Sequence, residues 1–357
     1  MENLPRTFCL PPLRTILAEF NAPSQFHPMK EQAKLDACKW FLSFQHGNKR
    51  WAEMIMQAGA EDMAAAMYHD LGFDDLVLTL QWYFWGFLID DTIDSQQLSP
   101  EGVRNIVHLY EDVQCNRHLD ETVPPPLIIA IFQSVWKKMR EKKRLGFERL
   151  FAEASIAYVR GLPQVNGFRS SVGLPDKETY KRHRRKNVFV EPAFHFTGFI
   201  MDLNIDDEIV RSAAMQEAYA HLSEIGWLVN DILSWNAEQR RGDMWNFISI
   251  TMIQDKKTVQ EAIDDAEQEL KSQVTQWRSA KMNVLETYRT HQDIRDLTLL
   301  IERNELWALI AVEYSYNWAA IRYFGSRENS EQAQRTGIVH IMPRRQEKVT
   351  DAGENHS

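Results

Sequence analysis

Residues 230–238 read NDILSWNAE, and their polar side chains recur with a helical spacing. Asn230, Ser234 and Glu238 are four residues apart, so on an α-helix they share one face that drifts by about 80° over two turns. An amide oxygen, a hydroxyl and a carboxylate are hard oxygen ligands, the kind that suits Mg²⁺. The same spacing also describes a polar stripe that faces water, and for this stretch alone that is the better interpretation.

The residues directly before this stretch favour a buried site. Residues 225–229 read IGWLV, an apolar run that leads into the motif. Polar side chains beside such a run need partners, and a metal ion would supply one. The choice between a solvated stripe and a metal site therefore depends on whether a second acidic element lies elsewhere in the chain.

Residues 90–94, DDTID, supply a second acidic element. Asp90 and Asp94 share a helix face, and Asp91 lies beside Asp94 at the adjacent offset. Three carboxylates this close repel one another unless cations neutralise them. A solvated helix end is the alternative, but two apolar residues directly precede the cluster and favour a metal site.

Two basic elements complete the pattern. Arg184 comes 46 residues before Asn230, within the dense basic cluster of residues 181–186, and Arg322 is followed by Tyr323. If the two acidic faces hold Mg²⁺ around a diphosphate, cationic hydrogen-bond donors are needed beside that diphosphate as well. Taken alone, the basic cluster is equally well explained as a solvated face or a localisation patch.

Composition narrows the classes of protein. The 357-residue chain is 44% apolar and 25% charged, which is typical of a soluble globular protein. Its net charge of −9 argues against nucleic-acid binding. The chain has no uninterrupted run of about 18 apolar residues, so we predict no membrane span. Three widely spaced cysteines offer neither a disulfide framework nor a zinc pattern, and they indicate a reduced, cytoplasmic compartment.

Apolar residues recur with the period of a helix through most of the chain, and strand alternation is nowhere convincing. Helices are predicted at roughly residues 30–44, 58–68, 74–94, 100–113, 127–143, 147–160, 176–186, 188–201, 213–241, 246–280 and 302–324, with interruptions near Pro192 and Asp255. Gly and Pro predict a loop at residues 161–175. We therefore predict one all-α domain at residues 25–325, after an irregular lead-in at residues 1–24. Residues 326–357 are predicted to be a disordered tail. Removal of the residues after about 330 should leave activity nearly unaffected, unless the tail folds over the mouth of the site.

These four elements, in this order, resemble the class I terpene cyclases of fungi and bacteria. Residues 90–94 match their aspartate-rich DDxxD motif, and residues 230–238 match their (N/D)DxxSxxxE metal triad. Arg184 has the offset of the family's diphosphate-sensing arginine, and residues 322–323 match its C-terminal Arg-Tyr pair. The continuation at residues 238–243, EQRRGD, is most similar to the fungal branch. Two metal motifs about 140 residues apart make the resemblance highly specific.

The resemblance implies a class I terpenoid synthase bundle, a single all-α domain in which helices surround a deep apolar pocket. It implies three Mg²⁺ ions at the pocket mouth, with Mn²⁺ as a possible substitute. Two ions would lie on the aspartate side, on Asp90 chiefly, with Asp91 and Asp94. The third would be held by the triad of Asn230, Ser234 and Glu238.

The resemblance also implies the substrate and the reaction. Arg184, Arg322 and Tyr323 would donate hydrogen bonds to the diphosphate of a linear prenyl diphosphate. The size of the chain and its fungal-type motifs point to farnesyl diphosphate. Ionisation and cyclisation would then yield a sesquiterpene hydrocarbon or alcohol. We expect no nucleic-acid partner and either a monomer or a homodimer.

Aromatic residues near these motifs are implied to stabilise the carbocation through their ring faces. Phe87 lies one turn before Asp90, and Tyr83 lies a further turn down, so both are expected in the pocket wall. Tyr316, six residues before Arg322, corresponds to a position that is often Trp in the family. Each ring is also compatible with ordinary core packing. Residues 187–188 match the region where the family breaks a helix and senses substrate.

One position departs from the family pattern, and other functions share parts of it. Many bacterial members carry Lys just before the Glu of the triad, where this chain has Ala237; Arg241 or Lys181 is expected to compensate. A chain-elongating prenyl diphosphate synthase usually has a second aspartate-rich motif, and a protonation-initiated cyclase has a DxDD motif that this chain lacks. A non-catalytic helical binding protein has no need of intact metal ligands at both motifs.

Overall fold

The computed structural model describes residues 4–20, 25–44, 49–94, 98–117, 122–170 and 174–344, without the side chains of residues 50, 51, 93, 94, 145, 165–170 and 187. In chain order the α-helices are α1 (Leu13–Ile16), α2 (Lys30–Leu42), α3 (Lys49–Met56), α4 (Ala60–Met67), α5 (Phe73–Asp94), α6 (Pro100–Gln114), α7 (Leu127–Glu141), α8 (Leu145–Ser170), α9 (Lys177–Asn187), α10 (Val190–Ile200), α11 (Asp207–Val210), α12 (Ala213–Arg241), α13 (Phe247–Gln254), α14 (Val259–Thr287), α15 (Ile294–Glu313), α16 (Ala320–Phe324) and α17 (Arg327–Thr336). A π-helix (Tyr314–Trp318) joins α15 to α16, and two short strands, β1 (Thr7–Cys9) and β2 (Ile338–His340), pair antiparallel. The predicted all-α class is confirmed.

Local sequence explains where the helices that carry the candidate site begin and end. Asp176 and Ser212 accept a hydrogen bond from a backbone amide in the first turn of α9 and α12, a role that short oxygen-bearing side chains favour. Gly242 ends α12 in the left-handed conformation, with a φ of 82°. These caps agree with the predicted ends of both helices.

Two long helices, α5 and α12, lie in the core of the bundle. α5 packs against α2, α4 and α7, whereas α12 packs against α9, α14 and α15. Trp82 and Trp85 of α5 and Trp227 and Trp235 of α12 are at most 1% exposed. Helices that are apolar on most sides belong in a core, so any polar side chain on them must find a partner there. No helix within the described ranges is sufficiently long and apolar to cross a membrane.

Two of the predicted interruptions are wrong. α8 continues through Pro163 to Ser170, although a loop is predicted from residue 161. The proline removes one backbone hydrogen bond, but the neighbouring Val159 and Leu162 are buried and hold this part of the helix against the core. Pro192 does not interrupt α10 because it is the third residue of that helix, where a backbone amide has no partner within the helix.

The predicted break near residues 187–188 is observed. α9 ends at Asn187 and α10 begins at Val190. Between them Phe189 has a φ of 62°, which is unfavourable for a side chain larger than glycine. Its ring is fixed by Trp82, with 5.2 Å between ring centroids, and by Tyr158 at 4.7 Å. Aromatic packing thus holds a backbone conformation that the residue alone would avoid.

The predicted disordered tail is wrong for residues 326–344. These residues form α17 and β2, and β2 pairs with β1 of the lead-in, so that Phe8 lies opposite Val339. The segment also binds α12: the Met342 amide donates to Asn236 Oδ1 at 2.9 Å, and Gln239 Nε2 donates to the Met342 carbonyl at 2.8 Å. We call residues 338–342 the C-terminal clasp. Residues 345–357, for which disorder is also predicted, lie outside the described residues.

A chain that ends at Gly337 should be less stable than the full-length protein by about 3 kcal/mol, because it loses the burial of Val339 and Met342 as well as the hydrogen bonds to α12. Urea unfolding followed by circular dichroism measures this difference. The matched control is a chain that ends at Arg344, which keeps the clasp and should differ from full length by less than about 0.5 kcal/mol. Equal stability of the two truncated chains would contradict a structural role for the clasp.

Candidate active site

An apolar cavity of about 280 Å³ lies among α5, α10, α12, α15 and the π-helix. Aromatic side chains form much of its wall: Trp82, Tyr83, Phe87, Tyr158, Phe189, Phe194, Trp245, Trp307 and Tyr314. Acidic, amide, hydroxyl and basic side chains also line it: Asp90, Arg184, Asn230, Ser234, Glu238, Arg241, Arg322 and Tyr323. Asp90 is exposed whereas Trp82 and Phe194 are fully buried, so the polar group forms the mouth and the rings form the interior.

The three side chains of the predicted triad lie on two successive turns of α12, and all of them line the cavity. Asn230 Oδ1 accepts a hydrogen bond from Arg184 Nη2 at 2.6 Å, and Glu238 Oε2 accepts one from Asn246 Nδ2 at 2.8 Å. The Ser234 hydroxyl is buried and has no hydrogen-bond partner among the described residues. A buried orphan hydroxyl between an amide and a carboxylate fits a hard divalent cation.

The aspartates of the DDTID stretch occupy different positions. Asp90 lines the cavity, whereas Asp91 Oδ1 accepts a hydrogen bond from Arg322 Nη2 at 3.3 Å. Asp94 ends α5, and its side chain lies outside the described part of the structure. Within the described ranges no three His, Cys, Asp or Glu side chains form a group that could hold a metal. Asp90 is thus the described aspartate of this stretch that reaches the cavity.

Tyr323 lies between the two acidic motifs. Burial raises the pKa of its hydroxyl; Arg322 opposes this shift, and the charges of Glu238 and Asp90 add to it. Tyr323 therefore lies within electrostatic reach of both acidic motifs, which line the same cavity. Burial lowers the pKa of the adjacent Arg322, but Tyr323 and Asp91 outweigh burial, and the net pKa is raised. Arg322 is therefore a permanent cation at the mouth.

Asp231, the second residue of the motif, anchors Arg184. The Asp231 side chain is 1% exposed, and its Oδ1 accepts from Arg184 Nε at 3.0 Å. Its Oδ2 accepts from the Tyr180 hydroxyl and from the Phe247 amide. Burial raises the pKa of Asp231, and Arg184 and the hydrogen bonds oppose that shift. Burial likewise lowers the pKa of Arg184, but Asp231 outweighs it, so the pKa of the guanidinium is raised overall.

The Glu238 carboxyl has an environment that suits a metal ligand. Burial raises its pKa to about 7; the negative charges of Asp243 and Asp231 add to the shift, whereas Arg184 opposes it. A divalent cation on this carboxyl would favour its ionised form. Burial and the neighbouring negative charges thus outweigh the positive charge of Arg184 at this carboxyl.

Comparison with known proteins places the chain in a family. Residues 81–276, more than half of the chain, match the family model described as terpene synthase family 2, C-terminal metal binding. The chain belongs to the terpene synthases. It is therefore a class I terpene cyclase, as the motifs predict, and membership of this family implies the use of a divalent metal.

Similar proteins support the same family for this terpene synthase. Silphinene synthase of Penicillium patulum is 23% identical over 311 residues, which cover 85% of this chain and 82% of that protein. Sesquiterpene synthase 14 of Postia placenta is 23% identical over 345 residues, covering 96% and 95%. The crystal structure of germacradien-4-ol synthase from Streptomyces citricolor superposes with a TM-score of 0.66 at 17% identity, covering 84% of this chain and 97% of that one. The predicted helical terpenoid synthase fold is confirmed.

Ala237, the position at which this terpene synthase departs from the resemblance, lines the cavity. Of the two residues expected to compensate, Arg241 lies one turn further along α12 and also lines the cavity. Lys181 is engaged elsewhere: its Nζ lies 3.5 Å from Glu269 and over the Phe247 ring. Of the two, Arg241 is therefore the one that reaches the cavity.

Phe87 and Tyr83 line the cavity, whereas Tyr316 is not among the residues that line it. Phe87 lines the cavity and stacks on Tyr314, with 6.1 Å between ring centroids. Tyr316 instead stacks on Phe324 and lies under the Arg14 guanidinium, each at 5.2 Å. The π-helix is the physical reason, because its wider turn shifts the side chains that follow, and Tyr314 takes the cavity position.

Sequence reasoning gave no role to Asp231, Phe189 or Trp307, although all three shape the site. For Asp231 a signal was present, because a charged residue directly follows Asn230 on the buried side of the motif. For Phe189 and Trp307 the sequence carries no comparable signal, since their cavity positions depend on a strained backbone and on packing between distant helices.

Asp231→Asn should lower the free energy of unfolding by about 3 kcal/mol, because it leaves the buried Arg184 without its counter-charge. Chemical denaturation of the purified protein measures this. Glu19→Gln is the matched control: it removes one carboxylate from a solvent-exposed pair with Arg278 and should cost less than about 1 kcal/mol. Similar losses for both variants would show that the Asp231 pair contributes no more than a surface pair.

Proposed function

We propose that the enzyme uses Mg²⁺ to ionise farnesyl diphosphate and cyclises the carbocation to a sesquiterpene hydrocarbon or alcohol, with release of diphosphate. The observation that supports this proposal is one cavity with acidic and basic groups at its mouth and aromatic rings on its wall. The sequence relative named sesquiterpene synthase 14, which is matched over nearly its whole length, supports the C15 substrate.

The proposed ligands are those that the resemblance implies. Asn230, Ser234 and Glu238 would hold one Mg²⁺, and Asp90, with Asp91 and Asp94, would hold two more. The orphan hydroxyl of Ser234 and the exposed carboxylate of Asp90 at the mouth support this assignment. When bound, Mg²⁺ supplies positive charge that stabilises the leaving diphosphate.

The basic residues of the mouth would bind and orient the diphosphate. Arg184 of α9, Arg241 of α12 and Arg322 of α16 line the cavity, and Tyr323 adds a hydroxyl. Guanidinium groups donate paired, charge-assisted hydrogen bonds to phosphate oxygens. Negative charge accumulates on the diphosphate as the allylic C–O bond breaks, so fixed donors there lower the barrier without a protein nucleophile.

The cavity wall would guide the carbocation after ionisation. Ring faces stabilise a nearby cation by about 1–2 kcal/mol where water is excluded. Phe87 with Tyr314, and Trp82 with Phe189, form two stacked pairs that line the cavity. The wall would also hold the prenyl chain of the substrate in a folded shape, which brings its distal double bonds close to the cationic carbon.

Incubation of the purified enzyme with farnesyl diphosphate and Mg²⁺ should release inorganic diphosphate together with a volatile C15 hydrocarbon or alcohol, detected by gas chromatography with mass spectrometry. Glu238→Ala should reduce diphosphate release by at least about 100-fold because it removes a metal ligand. Glu267→Ala, which removes a carboxylate from a helix-surface pair with Lys271, is the control and should remain active.

Other outcomes would contradict the proposal in different ways. A longer prenyl diphosphate as product would indicate a chain-elongating synthase. Full activity of Glu238→Ala would exclude the metal triad. Absence of turnover with C10, C15 and C20 diphosphates alike would indicate a helical binding protein.

Phe87→Leu should redistribute the products, because it keeps an apolar side chain and removes the ring face. A loss of about 1.4 kcal/mol for one cationic intermediate changes a product ratio about tenfold. Product profiles and rates of diphosphate release measure the effect, and the rate should change less than the profile. Tyr316→Phe, a change outside the cavity, is the control and should leave the profile unchanged. An unaltered profile for Phe87→Leu would remove this ring from the proposal.

A further inference from the structure

Arg184 donates a hydrogen bond to the side-chain oxygen of Asn230, the atom that would coordinate a metal ion. Its Nη2 donates to Asn230 Oδ1 at 2.6 Å, and the same nitrogen lies 3.0 Å from Asp231 Oδ1. A guanidinium carries donors only, so the amide atom that faces it is the oxygen. Asn230 has one such oxygen, and it is the atom through which an amide side chain coordinates a hard cation.

A guanidinium and a divalent cation on one oxygen repel each other strongly. A divalent cation held by this oxygen would lie close to the guanidinium, in a site where Arg184 and Asp231 are largely buried and water screens little. The other two triad side chains have different hydrogen bonds: the Ser234 hydroxyl has no partner among the described residues, and Glu238 accepts one from the neutral amide of Asn246. Arg184 therefore obstructs one ligand of the three.

Arg184 is able to leave Asn230 without leaving the site. Its Nε is anchored separately on Asp231 at 3.0 Å, and Asp231 is held in turn by Tyr180 and the Phe247 amide. Because the guanidinium is planar and turns as one unit, rotation about the Cδ–Nε bond would move Nη2 away from Asn230 while Nε stays beside Asp231, at the cavity that Arg184 already lines.

We propose that Arg184 latches the metal triad: in the substrate-free enzyme its guanidinium occupies the Asn230 oxygen, and the substrate diphosphate draws it away and opens the triad to the metal. This inference rests on the proposed role of Asn230, Ser234 and Glu238 as metal ligands. The latch couples the binding of metal and diphosphate in both directions. A ligand that displaces Arg184 strengthens metal binding, and the metal strengthens binding of that ligand. The latch keeps the triad from being completed before a diphosphate is present.

The test is Mn²⁺ binding to full-length, substrate-free enzyme without any diphosphate, measured by electron paramagnetic resonance of the free ion. Arg184→Gln should bind Mn²⁺ about tenfold more tightly than the unaltered protein, because the competing cation is gone. Arg182→Gln removes an equal charge from the exposed face of α9, where Arg182 binds Thr179, and should leave the affinity unchanged. An affinity of Arg184→Gln equal to or weaker than that of the unaltered protein overturns the latch.

A second variant keeps the test decisive if Arg184→Gln does not fold, as judged by circular dichroism. Arg184→Lys retains a positive charge beside Asp231 but lacks the second nitrogen that reaches Asn230. It should also bind Mn²⁺ more tightly than the unaltered protein, and an unchanged affinity would overturn the latch.

Addition of Glu238→Ala separates failure of the latch from failure of the proposed function. The gain in affinity should disappear in Arg184→Gln/Glu238→Ala, because the site that Arg184 obstructs has lost a ligand. If Glu238→Ala alone weakens Mn²⁺ binding and Arg184→Gln brings no gain, the triad stands and the latch is wrong. If neither Glu238→Ala nor the double variant changes Mn²⁺ binding, the triad assignment fails and the latch fails with it.

Discussion

The buried ion pair between Asp231 and Arg184 connects the helices on which the site depends. Asp231 belongs to α12, Arg184 and Tyr180 to α9, and the Phe247 amide begins α13. A buried carboxylate is costly unless it has several partners, so these three helices must adopt one arrangement for it to be satisfied. That arrangement brings a guanidinium to the cavity mouth beside the triad. The same ion pair thus holds the three helices together at the mouth and supplies positive charge there.

α12 carries two sets of polar residues on different faces. Asn230, Ser234 and Glu238 face the cavity, whereas Asn236 and Gln239 bind the C-terminal clasp. At 100° per residue the two sets cannot share a face, so the clasp secures the helix from behind without occupying the mouth. Residues near both ends of the chain therefore support the segment that bears the proposed metal ligands.

The cavity wall depends on backbone irregularities more than on regular helix. Phe189 has a positive φ between α9 and α10, and the π-helix follows α15 on the facing side. Both place a ring against the cavity, Phe189 beside Trp82 and Tyr314 beside Phe87. Such irregularities persist only where surrounding packing compensates for their cost, and they frequently occur at functional sites.

The sequence by itself determined the helical class, the ends of α9 and α12, and both acidic motifs with their basic companions. These features are local, since caps and a 3.6-residue period are written in neighbouring residues. Tertiary structure alone decided that Tyr314 and not Tyr316 faces the cavity, that residues 326–344 are ordered, and that Arg184 binds Asn230. Each of these depends on partners far apart in the chain or on an altered helical turn, and the physical reason is that packing energy between distant residues leaves no local pattern.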